Sequence, residues 1–101
     1  MANTGEDLAT SVVSVAEVFA GAAPHTEARW DAYFQRFRLA SVDERVARLA
    51  GGLRFRLARR GTELSLSDAL IAAQALMNDW PVATANVKDF APAGVRILEV
   101  R

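Results

Sequence analysis

Apolar positions recur along this chain in two rhythms, and together they predict strands alternating with helices. Residues 8–13, LATSVV, are short, β-branched and apolar, the pattern of a buried strand. A helix is predicted to open at Ser14 and to reach about residue 22, stopped by Gly21 and Pro24. A second helix is predicted over 26–37. There Trp30, Phe34 and Phe37 recur at helical spacing with Tyr33 beside them, while Glu27, Arg29, Asp31 and Arg36 point elsewhere. Residues 38–42 read as a weak strand. From 43 to 60 the pattern is amphipathic: Val46, Leu49, Ala50, Leu53 and Leu57 form one buried stripe, and Gly61 ends it. Gly51 and Gly52 each cost such a helix about 1 kcal/mol relative to alanine, so a close packing partner is expected there. Residues 67–79 are apolar nearly all round, as in a helix buried against a sheet and its neighbours, and Pro81 blocks its continuation. Residues 82–85 and 95–100 supply the last two strands. The alternation favours an α/β fold with a parallel sheet and flanking helices.

Composition narrows the picture. The 101 residues make one small domain, 1–101, and a hydrophobic fraction of 51% supports a real core. Formal net charge is zero, so no global field steers the chain toward nucleic acid or an anionic membrane. There is no cysteine, which excludes disulfides, thiolate zinc sites and cysteine nucleophiles. His25 is the single histidine and reads as a surface residue near a helix start. No segment has the apolar length of a membrane span, and the MANTGEDLA start lacks the zones of a signal peptide. A cytoplasmic protein is expected.

Candidate chemistry rests on acids. Three Ser-x-x-acid boxes occur, Ser14/Glu17, Ser41/Glu44 and Ser65/Asp68, and each is explained by helix capping alone. Position separates Glu17 and Asp68 from Glu44. Both belong to segments expected at the C-terminal edge of the sheet, where ligands gather in such folds. Asp89 lies just past the strand 82–85, at the same edge. Carboxylates that converge there repel one another unless a cation sits among them, and oxygen-only ligands suit Mg²⁺ or Mn²⁺. Asn86 and Thr84 are candidates to add a neutral oxygen or orient a water. Their bland reading is a turn residue and its neighbour. Arg45, Arg48, Arg56 and Arg59 fall near one face of the 43–60 helix, which is either a solvated face or a contact for RNA phosphates. Too few exposed aromatic candidates are evident for a stacking platform.

The segments SVVSVAEVFAG, SDALIAAQA and ATANVKDF, in that order, resemble the successive motifs of the PIN domain, and most of all the VapC-type toxins of bacterial toxin–antitoxin pairs. The resemblance runs from Leu8 to the C-terminus. It implies a parallel α/β sheet, a cluster of acids binding Mg²⁺ or Mn²⁺, endoribonuclease activity, a homodimer, and silencing by a cognate antitoxin. Carried over by position, Glu17, Asp68 and Asp89 are the catalytic and metal-holding acids, with Asn86 and Thr84 positioning substrate or water. The family pattern also begins with a central strand bearing an aspartate, in an LIDTS-like segment. This sequence starts just before the second strand, so an incomplete domain is expected. A late start codon, a decayed gene, or a strand supplied by another chain would each account for it. With one acid missing, weak or absent cleavage is expected. The rival reading is a catalytically dead remnant that serves only as an antitoxin-binding or interaction protein.

Overall fold

The computed structural model of the chain describes residues 3–4, 7–84 and 86–99. Among the described residues five strands are interspersed with five helices: β1 Asn3–Thr4, β2 Asp7–Ser11, α1 Val12–Gly21, α2 Glu27–Phe34, β3 Arg38–Ala40, α3 Glu44–Arg59, α4 Leu66–Asn78, β4 Val82–Thr84, α5 Val87–Phe90 and β5 Ile97–Glu99. Short 3₁₀ turns, Pro24–Thr26 and Ala91–Ala93, precede α2 and follow α5. Residues 85 and 100, read as strand from the sequence, lie outside the described residues.

The strands pair in parallel as expected, but as two separate pairs. β2 lies beside β3 with Ala9 opposite Arg38 and Ser11 opposite Ala40. β4 lies beside β5 with Val82 opposite Ile97. Among the described residues no strand bridges the two pairs. β1, which the apolar pattern does not predict, adds to β2 antiparallel, with Thr4 opposite Asp7.

Two of the three serine boxes cap nothing. Val12 and Val13 are helical rather than strand residues, because Ser11 takes the N-cap: its backbone is extended and its Oγ accepts from the Val13 N–H at 3.0 Å. Ser14 and Glu17 therefore sit inside α1. At α3 the N-cap is Asp43, whose Oδ1 accepts from the Val46 N–H at 2.9 Å, and not Ser41. Glu44 instead meets Arg48 Nε at 2.6 Å, an exposed pair of little energetic weight. Only Ser65 keeps its predicted role, with its Oγ accepting from the Asp68 N–H at 3.1 Å. The helix predicted over 26–37 stops at Phe34. The Phe37 N–H bonds the Phe34 carbonyl at 3.0 Å, and that tighter turn feeds the chain straight into β3.

The core is the seam between α3 and α4. Val46, Ala50, Leu53 and Leu57 present one buried stripe, and α4 answers with fully buried Ala69, Ala72, Ala73 and Ala75. Small residues let the two backbones approach closely. The glycines of α3 take no part in this. Nothing lies within 4 Å of a Cβ built on Gly51, and Gly52 would meet only the mobile end of Arg56, so the expected close partner is absent. Gln74, in the middle of α4, is buried; its Nε2 donates to the carbonyls of Ala40 and Ser41 at 2.9 and 3.1 Å. It thereby ties α4 to the end of β3.

Candidate active site

A cavity of about 320 Å³ opens between the two strand pairs. β2 contributes Thr10, α1 contributes Ser14 and Glu17, and the first turns of α4 contribute Asp68. β4 and the turn after it contribute Thr84 and Asn86, while Ile71 and Phe90 form apolar walls. Segments far apart in the chain thus meet at one mouth, at the C-terminal ends of β2 and β4, the edge of a parallel sheet where ligands collect.

Local chemistry fixes each polar group. The cap at Ser65 starts α4 so that Asp68 falls in its first turn. Ser67, one residue earlier, donates its Oγ proton to Glu17 Oε2 at 3.0 Å, fastening α1 to α4 across fifty residues of sequence. On the far wall, the Asn86 N–H donates to Thr84 Oγ1 at 2.9 Å and shapes the turn into α5. Asn86 makes no side-chain cap, so its amide is not consumed by the helix it precedes.

The acids feel one another. Burial pushes the Asp68 carboxyl above its ordinary value, and the charges of Glu17 and Asp89 push it the same way, against a lowering hydrogen bond from Ser65. Glu17 and Asp68 share the cavity; Asp89, exposed in α5, reaches Asp68 through its field but does not line the cavity. Among the described residues no three His, Cys, Asp or Glu side chains stand together closely enough to hold one metal ion. The donor set is nonetheless all oxygen, two carboxylates with a hydroxyl and an amide, which fits a hard divalent cation and not zinc.

Of the residues singled out from sequence, Glu17, Asp68, Thr84 and Asn86 come together, and Asp89 stands one step outside. Sequence reasoning missed Ser67 and Thr10, and it read Ser14 as a cap when it is a cavity wall. Ser67 had a signal: it adjoins Asp68 in a helix whose cap was already assigned to Ser65, which leaves its hydroxyl free.

Comparison with known proteins agrees with this architecture. Residues 1–94 match the PIN domain model. Ribonuclease VapC19 of Mycobacterium tuberculosis is 36% identical over 90 residues, covering 87% of this chain and 70% of VapC19. Ribonuclease VapC10 of the same organism is 37% identical over 83 residues, covering 82% of this chain and 62% of VapC10. Among solved structures, the DNA-bound VapBC from Salmonella typhimurium superposes with a TM-score of 0.82 at 27% identity, covering 90% of this chain and 74% of that one. FitAcB from Neisseria gonorrhoeae gives 0.77 at 26% identity, covering 92% and 75%. No described helix is long and apolar enough to cross a membrane. By motif order, by sequence and by fold, the chain belongs to the PIN domain family and is a relative of the VapC ribonucleases.

Proposed function

We propose that this chain is a Mg²⁺- or Mn²⁺-dependent endoribonuclease of a toxin–antitoxin pair, acting in the cytoplasm, its residues 1–101 all belonging to one PIN-like domain. The observation that carries the reading is the shared cavity of Glu17 and Asp68, with the Asp68 carboxyl raised by burial and by both neighbouring acids. Such mutual repulsion is relieved when a cation enters. The named relatives are ribonucleases, and PIN-domain ribonucleases generally use divalent ions.

In this reading Glu17 and Asp68 hold the cation or its waters, and Asp89 adds charge from α5. A divalent ion held by these residues would supply an acidified water and Lewis-acid polarisation of a phosphate oxygen. Ser67 fixes the Glu17 carboxylate through its hydrogen bond, and Thr84 shapes the turn that brings Asn86 into the cavity lining. The partner is an antitoxin, since the neighbouring structures are VapBC and FitAB complexes, and the chain works as a homodimer.

One observation favours a second reading. No three acids stand together among the described residues, which suits a remnant that binds an antitoxin without cutting RNA. Labelled RNA incubated with the purified chain separates the two. Slow cleavage that needs Mg²⁺ or Mn²⁺ and disappears in Asp68→Asn supports the nuclease. Intact RNA together with retained antitoxin binding supports the remnant.

A further inference from the structure

A second cavity, of about 450 Å³, lies between the C-terminal half of α3 and the segment leading into α4. Its lining includes Arg54, Phe55, Thr62, Glu63 and Ser65. Phe55 is the most exposed large hydrophobic residue described, at 64%. The Arg59 guanidinium lies 5.6 Å from the centre of its ring. Four arginines, Arg54, Arg56, Arg59 and Arg60, fall within seven residues. Among the described residues Arg56, Arg59 and Arg60 have no carboxylate within ion-pair distance. Arg54 is held in place by its Nε donating to the Leu64 carbonyl at 2.9 Å.

Ser65 of this cavity and Asp68 of the acidic one stand three residues apart at the start of α4. Ser65 caps α4, its Oγ lies 3.4 Å from that of Ser67, and Ser67 in turn holds Glu17. The two sites are thus joined through one helical turn, about 5.4 Å of rise. An exposed aromatic ring flanked by unpaired guanidinium groups is the chemistry that takes an unstacked base and its phosphate. Protein partners also take up exposed aromatics, but a run of unpaired arginines beside an acidic hydrolytic cavity matches a polyanion better.

We infer that Phe55 and Arg59 form a base-stacking subsite that seats one nucleotide of a single-stranded RNA lying across the acidic cavity. The subsite rests on the ribonuclease reading and supplies the stacking residue that the sequence pattern alone left unseen. Glu63 at its rim repels phosphate, so the backbone passes on the arginine side.

The test measures fluorescence anisotropy of a labelled single-stranded RNA with the full chain carrying Asp68→Asn, so that binding is read without cutting. Phe55 is exposed, and its replacement leaves the core intact. Phe55→Ala should weaken binding about 10-fold or more, and Phe55→Trp should keep it within about twofold. Equal affinity in Phe55→Ala overturns the subsite, as does equal weakening by Phe55→Ala and Phe55→Trp. Unchanged RNA affinity with lost self-association assigns Phe55 to a protein contact and overturns it too. Cleavage by the unaltered chain is measured alongside. If RNA is cut while Phe55→Ala leaves KM and kcat unchanged, the subsite alone falls. If RNA is neither bound nor cut, the subsite and the nuclease reading fall together.

Discussion

At the scale of single residues, Asp68 carries the tension in the site. Its carboxyl is raised from an ordinary 3.8 by burial and by Glu17 and Asp89. The folded state therefore holds this proton more tightly than the unfolded chain does. The stability linked to that proton is fully present below 3.8 and is lost as pH rises through the raised value. Asp68→Asn should accordingly stabilise the fold at neutral pH, and should not do so at pH below the unfolded value. Thermal melts across the pH range read this, and a variant less stable than its parent at neutral pH would contradict it. The same substitution should abolish cleavage, so the two effects have opposite signs. Asp68 was legible in the sequence because its cap, Ser65, stands three residues upstream in a clean helix start. Glu17 was legible only by the order of motifs. The box assigned to it with Ser14 does not exist, since Ser11 captures the cap and no local pattern distinguishes one serine from the other.

At the scale of elements, α4 organises the molecule. Its alanines let α3 close on it, its first turn carries Ser67 and Asp68, and Gln74 clamps the end of β3. Gln74→Ala would leave the carbonyls of Ala40 and Ser41 without their donor and open a cavity, at a cost of about 2–4 kcal/mol. Urea unfolding measures it, and a loss under about 1 kcal/mol would show that the clamp does not hold. α3 offers the opposite case. Gly51 is exposed, mid-helix and free of neighbours within 4 Å, so Gly51→Ala should stabilise by about 0.5–1 kcal/mol. A destabilised variant in the same unfolding experiment would mean an unseen contact at that face. The period of the apolar stripe made α3 readable to within a residue at each end. The glycine pair misled because composition shows a missing side chain but not whether anything fills the space. The short α5 went unread for a related reason: four residues carry too little period to separate a helical turn from a loop.

At the scale of the whole molecule, the β2–β3 and β4–β5 pairs stand apart among the described residues with the acidic cavity between them, and helices α1 and α4 hold its carboxylates. The alternation of strands and helices told the class of fold. It could not tell that the pairs are separate or that β1 runs antiparallel, because strand partners are chosen by long-range hydrogen bonds that leave no local mark. We propose that Glu17 and Asp68, from α1 and α4, hold a single divalent ion and that Asp89, from α5, adds its charge. A binding titration with Mn²⁺ tests it most directly, on the unaltered chain and on Glu17→Gln, Asp68→Asn and Asp89→Asn. One saturable site is expected, weakened about 10-fold or more by Glu17→Gln and by Asp68→Asn and by a smaller factor by Asp89→Asn. Mn²⁺ affinity that any one of the three leaves unchanged would contradict the proposal.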